Sequence, residues 1–294
     1  LLVQKYFESR QKILEDKLNE YLAPANEMPE ILHEAMRYTV FSGGKRWRPI
    51  LLFAVYEMLK GRKNVQHLIP AIPAACAIEL VHNASLVHDD LPSLDNSDER
   101  RGQASTHKKY DNATAILVGD SLLTKAFEVL TDIPEPDKSI ACIKTLARAV
   151  STRGMIGGQT VDLISTKKTI RINVLRYIHL KKTGSLLQAA TDMGCILYDA
   201  DENLAITLGN YALNIGLAYQ IIDDILDEVG AFELLGKEPE DYRNNKMTYP
   251  GLLGLDKAKK TAEKLLDDSY RMIKNMKNNE IMIEFINMIK ERLP

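Results

Sequence analysis

Residues 71–102 read AIPAACAIELVHNASLVHDDLPSLDNSDERRG, and the first half of this stretch decides the fold. Ala, Ile, Leu and Val fill nearly every position up to Asp89 apart from Glu79, His82, Asn83, Ser85 and His88. Such a segment reads as a helix buried on most sides whose last turn presents Asp89 and Asp90. His82 lies about two turns earlier on the same face. Pro92 interrupts the pattern directly after the aspartate pair, which frees Asp95 from helical spacing and lets it fold back toward the same point. Arg100 and Arg101 follow. Carboxylates prefer hard cations such as Mg²⁺, and guanidinium forks match phosphate oxygens, so one short segment offers both parts of a metal-bridged phosphate site.

Alone, an acidic cluster beside two arginines fits a solvated surface loop as well. A second stretch, GLAYQIIDDILDEVG at 216–230, breaks the tie. Asp223 and Asp227 point the same way from a helix whose other residues are mostly apolar. Carboxylates on that background are costly unless paired or bound to metal. Two acidic clusters, each preceded by a hydrophobic helical run, are best explained as a facing pair of metal-binding walls.

The rest of the chain is helical by period. Apolar stripes mark amphipathic helices over 3–22, from about Pro29 to Phe41, and from Arg48 to Lys60. A packed helix follows in THKKYDNATAILVGDSLLTKAFEVL, another runs from Lys138 to about Ser165, and another from Arg176 to Ala190. The long run from Glu202 to Val229 carries the second acidic cluster, and two amphipathic helices, about Leu255 to Lys277 and Glu280 to Arg292, close the chain. Strand alternation is nearly absent, so the expected architecture is a single all-α domain over 1–294.

Three further stretches carry chemistry. SGGKRWRP sets Lys45, Arg46 and Arg48 at the start of a helix, where free N–H groups and the helix dipole also favour an anion. Gly154, Gly157 and Gly158 permit close helix approach beside Gln159 and Asp162. Lys182 and Thr183, just before Gly184, suit phosphate oxygens, although a lysine there also fits a snorkelling surface residue.

Composition excludes several classes. With 45% hydrophobic and 27% charged residues among 294, and a formal charge of −2, the chain has ordinary globular character and no broad basic field for a nucleic-acid partner. Cys76, Cys142 and Cys195 are an odd, scattered set in apolar context, against a disulfide framework or a zinc site and in favour of a reducing, cytoplasmic compartment. Histidines are scarce and no Glu-x-x-His repeat accompanies the acidic clusters, which leaves oxygen ligands for Mg²⁺ or Mn²⁺. No apolar run approaches the roughly 20 residues that span a bilayer, so no transmembrane segment is expected. The N-terminus lacks signal-peptide order, and with Leu1 in place of Met a trimmed leader stays open.

Between about Glu34 and Pro250 the sequence resembles the trans-isoprenyl diphosphate synthases of the short-chain type. The resemblance rests on Asp89-Asp90 through Asp95, Arg100-Arg101-Gly102, GGKRWRP, GQTVDL, KKTG, Asp223-Asp224-Ile225-Leu226-Asp227 and NKMTYP. It implies an isoprenoid synthase-type helical bundle with a central apolar cavity, and a homodimer whose contact is expected near residues 110 to 165. It also implies Mg²⁺-dependent condensation of isopentenyl diphosphate with dimethylallyl, geranyl or farnesyl diphosphate. By the same resemblance Asp89, Asp95 and Asp223 ligate three Mg²⁺, for which Mn²⁺ can substitute, with Asp90 and Asp227 assisting through metal-bound water. Arg100, Lys182 and Lys237 hold the allylic diphosphate, with Lys246 and Gln220 nearby. Lys45, Arg48, His82 and Arg101 bind isopentenyl diphosphate, and Thr183 and Gln159 line the reaction centre.

Product length is expected to depend on Val81, Ala84 and Ser85, one or two turns before Asp89. A bulky aromatic residue near the position of Ala84 closes the pocket at fifteen carbons in the resembling family. Ala84 leaves that floor open, which favours geranylgeranyl diphosphate over farnesyl diphosphate. A terpene cyclase would not need SGGKRWRP, His82 and Arg101, and a noncatalytic synthase subunit would be expected to have lost one acidic motif. A purely structural helical protein would leave Asp223 and Asp227 unexplained.

Overall fold

The computed structural model describes residues 2–61, 65–235 and 247–294. Lys237 and Lys246 therefore lie outside the described residues. The chain divides into two compact units, Leu1–Glu57 with Arg62–Lys144, and Met58–Gly61 with Thr145–Pro294. Both are helical, and among the described residues the only strands are a two-residue pair. The all-α expectation holds.

In the first unit the helices are α1 (Leu2–Tyr21), α2 (Glu30–Val40), most of α3 (Trp47–Lys60), α4 (Ile72–Asp89), α5 (Thr106–Lys109) and α6 (Asn112–Leu130). A 3₁₀ turn, Val65–Ala71, leads into α4. Twelve of the eighteen residues of α4 are buried, and the helix packs against α1, α2 and α6. Gln66–Asp89 is in fact long and apolar enough to cross a membrane, which corrects the expectation that no such run exists. Its apolarity is spent on the core, since 72% of its most apolar window is buried inside the protein.

The last turn of α4 needs a close neighbour. A Cβ on Gly119 of α6 would come within 2.1 Å of His88 Nε2, so glycine there makes room for the imidazole of the last turn. His88 Nε2 lies 3.2 Å from the Ile116 carbonyl oxygen. The single helix expected from Thr106 onward is broken, because Asp111 caps α6 by accepting from the Thr114 N–H at 2.8 Å.

Beyond Asp90 the chain turns back, and the short strands β1 (Glu99–Arg100) and β2 (Gln103–Ala104) pair antiparallel. Arg101 and Gly102 at the tip have φ of 55° and 75°, the two positive values a tight hairpin turn requires. Tyr38 Oη donates to the Ala104 carbonyl at 2.8 Å and anchors the hairpin to α2.

In the second unit the helices are the end of α7 (Pro136–Val150, most of which lies in the first), α8 (Met155–Ser165), α9 (Ile172–Ile178), α10 (Ser185–Tyr198), α11 (Glu202–Leu235), α12 (Tyr249–Leu253), α13 (Leu255–Ile273) and α14 (Glu280–Lys290). The expected helix from Lys138 to Ser165 is broken at 151–154. The chain folds so tightly there that a Cβ on Gly154 would sit 2.0 Å from the Ala149 carbonyl oxygen. The expected helix from Arg176 to Ala190 contains a π-helical turn, His179–Gly184, between α9 and α10. Helix α11 is the centre of this unit and packs against α10, the π turn, α12, α13 and α14. Its buried Tyr211 donates to the Met282 carbonyl at 2.6 Å.

Candidate functional site

The first unit gathers Asp89, Asp90 and Asp95 at the end of α4. The Asp95 N–H donates to the Asp89 carbonyl at 2.8 Å, so the chain after Pro92 does fold back as expected. Asp89 is partly exposed and Asp95 exposed, whereas Asp90 is only 3% exposed. Both oxygens of Asp90 accept from Arg100: Nε donates to them at 3.1 and 3.2 Å, and Nη2 donates to Oδ1 as well. The fork aligns Arg100 and sets Asp90 apart from the more exposed Asp89 and Asp95.

Arg101, next in sequence, has different partners. Its Nη1 donates to Ser42 Oγ and to Asn83 Oδ1, both at 3.3 Å. Its guanidinium lies over Gly44, where a Cβ would come within 2.8 Å of Cζ. The hairpin tip thus sends its two arginines to separate partners.

The three basic residues of SGGKRWRP also separate. Lys45 is exposed and lies 5.9 Å from the Trp47 ring centroid. Arg48 Nη1 lies 3.3 Å from His82 Nε2. Arg46 is 3% exposed and faces inward to Glu79, so it is not part of an outward basic cluster. Burial, and then the nearby guanidinium groups of Arg48, Arg101, Arg46 and Arg100, hold the His82 imidazole well below the usual histidine range. His82 is therefore neutral near pH 7. With Arg48 donating to Nε2, its own proton sits on Nδ1.

In the second unit the π turn decides the arrangement. It widens the backbone under Lys181 and Lys182, and α8 fits against it because Gly158 has no side chain: a Cβ there would sit 2.2 Å from the Lys182 nitrogen. Lys182 Nζ donates to Asp162 Oδ2 of α8 at 2.9 Å. Thr183 Oγ1 donates to Gln220 Oε1 at 2.9 Å, and Gln220 Nε2 donates to Asp223 Oδ2 at 3.1 Å. Asp223 Oδ1 in turn accepts from Arg292 Nη2 at 2.6 Å. Gln159 Oε1 is buried with no hydrogen-bond partner among the described residues, a carbonyl acceptor in want of a donor.

The second acidic motif is divided in the same manner as the first. Asp227 is exposed and Asp223 part-buried, and burial raises the Asp223 carboxyl even though Arg292 pulls it down. Asp224 points elsewhere: its Oδ2 accepts from the Tyr249 N–H at 2.9 Å and lies 3.1 Å from His179 Nε2. His179 and Tyr249 stack with ring centroids 5.5 Å apart. Asp224 therefore fastens α11 to the π turn and to α12. Thr248 caps α12, accepting from the Gly251 N–H at 3.1 Å and donating to Glu228 Oε2 at 3.2 Å, which is the physical reason for the Met-Thr-Tyr-Pro run.

Sequence reasoning missed Arg292, the pairing of Asp162 with Lys182, and the fastening role of Asp224. Among the described residues no three His, Cys, Asp or Glu side chains converge as a metal cage. The donor set still fits Mg²⁺: the donors are all carboxylate oxygens, exposed at Asp95 and Asp227 and part-buried at Asp89 and Asp223, and a cation with few protein ligands completes its shell with water and phosphate oxygens.

Comparisons with known proteins identify the family. The family model for polyprenyl synthetase matches residues 29–289. The chain is 40% identical over 280 residues to a farnesyl diphosphate synthase of Geobacillus stearothermophilus, covering 94% of this chain and 92% of that protein. It is likewise 40% identical over 282 residues to a geranylgeranyl diphosphate synthase of Cyanophora paradoxa, covering 94% and 91%. A crystal structure of a geranyltransferase from Helicobacter pylori 26695 superposes with a TM-score of 0.85 at 30% identity, over 97% of this chain and 98% of that one.

The chain belongs to the polyprenyl synthetase family, the trans-isoprenyl diphosphate synthases. It is a prenyltransferase, and the family reaction is the head-to-tail condensation of isopentenyl diphosphate with an allylic diphosphate to a short-chain prenyl diphosphate. That reaction depends on a divalent metal, typically Mg²⁺.

Proposed function

We propose that this synthase elongates to twenty carbons and releases geranylgeranyl diphosphate. The observation that carries this reading is the face of α4 before Asp89. Val81 and Ala84 are buried there at 0% and 4% exposure, Ser85 turns its hydroxyl back onto the His82 carbonyl at 2.8 Å, and none of the three is aromatic. Relatives of both product lengths match at equal identity, so side-chain size on this face is the better guide. Ala84→Tyr is expected to shorten the main product to fifteen carbons or fewer in a chromatographic product assay. An unchanged product length would remove Ala84 from the role.

The roles of the other residues follow the family resemblance and the local geometry above. Asp89, Asp95 and Asp223 are the proposed ligands of three Mg²⁺, with Asp90 and Asp227 assisting through bound water. Metal bound there supplies charge neutralisation that makes the allylic diphosphate a better leaving group. Lys182, steadied by Asp162, and Arg100, aligned by Asp90, hold the allylic diphosphate together with Lys237. Gln220 and Lys246 lie beside them in this proposal. Lys45, Arg48, neutral His82 and Arg101 take the isopentenyl diphosphate.

Thr183 and Gln159 flank the reacting carbons, where the orphaned Gln159 carbonyl suits the positive charge that develops as the carbon–oxygen bond breaks. The bond from the allylic C1 to isopentenyl C4 forms as diphosphate departs. The proton then lost from C2 passes to the released diphosphate. No side chain serves as nucleophile, so rate comes from electrostatics and positioning.

One domain over 1–294 and a homodimer belong to the same proposal. Exposed Ile116 and Leu117 on α6, and Ile156, Leu163 and Ile164 on α8, support a contact within residues 110 to 165. Three free, buried thiols support a reducing, cytoplasmic setting.

A further inference from the structure

We propose that Glu79 and Asn83, one turn apart on α4, are positioning residues that aim the Arg101 guanidinium at the isopentenyl diphosphate. The inference rests on the reading of Arg101 as a ligand of that substrate. Glu79 is 1% exposed and its Oε1 accepts from Arg46 Nη1 at 2.7 Å and from Asn83 Nδ2 at 3.0 Å. Asn83, also 1% exposed, accepts from Arg101 Nη1 through Oδ1. A continuous chain thus runs Arg46–Glu79–Asn83–Arg101, buried through Asn83 and part-buried at Arg101. It joins two elements far apart in sequence, the SGGKRWRP loop and the arginine hairpin, through the helix that ends in Asp89.

Both joined elements are strained where they meet it. Arg46 and Arg101 have φ of 51° and 55°, a region that residues other than glycine rarely adopt and that persists only where the surroundings enforce it, the hairpin turn among them for Arg101. Arg46 is further clamped by donating to the Val40 carbonyl at 2.7 Å, and the Arg101 guanidinium presses on Gly44 of the same loop. Electrostatics point the same way. Burial works against the charge on Arg101, and Glu79 is the first anion that offsets it, while Arg46 and Arg100 repel it. Glu79 Oε2 has no hydrogen-bond partner among the described residues, so one carboxylate oxygen serves both the arginine and the asparagine. The Asn83 amide, held by that oxygen and by the Glu79 backbone carbonyl at 2.8 Å, carries the orientation on to a second arginine.

The test is steady-state kinetics with each substrate varied in turn, on Asn83→Ala, Arg101→Ala and the double variant, with thermal melts to confirm folding. Glu79→Gln is the more direct change, but it strands the buried Arg46 charge and risks the fold. Asn83→Ala leaves that ion pair in place. Asn83→Ala is expected to raise KM for isopentenyl diphosphate about fivefold and to leave KM for the allylic substrate within about twofold. The double variant is expected to be no worse than Arg101→Ala alone, because the asparagine acts through that arginine. Equal shifts in both KM values, or multiplying effects in the double variant, would overturn the proposal. If Arg101→Ala raises KM for isopentenyl diphosphate and Asn83→Ala does not, positioning fails while the substrate assignment stands. If Arg101→Ala leaves that KM unchanged, the substrate assignment fails and the positioning role falls with it.

Discussion

Asp192, a part-buried carboxylate on α10, has its carboxyl pushed up to about 6 by burial. It lies against α11 at Gly209, where a Cβ would come within 3.1 Å of Oδ1. Because the folded value exceeds the unfolded one, the folded chain binds more protons between the two, and stability falls as pH rises through about 4 to 6. Asp192→Asn is therefore expected to stabilise the protein at pH 7.5 by about 1–3 kcal/mol and to give little or no gain near pH 4. Thermal melts at both pH values check this, and an equal gain at each, or a loss at pH 7.5, contradicts it. At this same scale the aspartates were readable because carboxylates on an apolar helix demand a partner. Which member of each cluster faces solvent was not. Asp90 and Asp224 differ from their neighbours only in what folding brings against them, Arg100 in one case and His179 with the Tyr249 amide in the other. Arg292 left no signal at all, since it meets Asp223 across 69 positions of sequence from an ordinary polar tail.

At the scale of elements, the π turn His179–Gly184 is the least readable feature and among the most consequential. A turn of π-helical bonds within a helical run leaves the apolar pattern of α9 and α10 unchanged, so periodicity gave one continuous helix. The glycines did register as points of close approach, and Gly158 proves to be one, set against the backbone of the π turn. Gly158→Ala is expected to force α8 away from Lys182, at a cost of about 1–3 kcal/mol for overpacking against backbone that has no rotamer to yield. Lower thermal stability together with a raised KM for the allylic diphosphate would bear this out. A variant as stable and active as the parent would show that the approach is not needed. The breaks at Tyr110 and at 151–154 had local causes, the Asp111 cap and the glycine-tight turn, that compete with an uninterrupted stripe of apolar residues. The buried character of α4 was plain from composition, although its length with the preceding turn was underestimated.

At the scale of the whole molecule, each compact unit carries one aspartate motif together with cations proposed to hold diphosphate. The first supplies Asp89 and Asp95 with Arg48, Arg100 and Arg101, and the second supplies Asp223 and Asp227 with Lys182. Among the described residues no three His, Cys, Asp or Glu side chains converge as a metal cage, a hard cation completes its shell with water and phosphate oxygens, and turnover is expected to depend on a divalent cation. The class of reaction was legible because several separated motifs agree. Product length was not, because it turns on the volume beside a few small residues and not on any charged group. The most direct test is to incubate the protein with Mg²⁺, isopentenyl diphosphate and each of dimethylallyl, geranyl and farnesyl diphosphate in turn, and to size the prenyl products. A twenty-carbon main product from every starter, lost when the divalent cation is chelated, is the expected result; a product that stops at fifteen carbons, or condensation that persists without the cation, would contradict it.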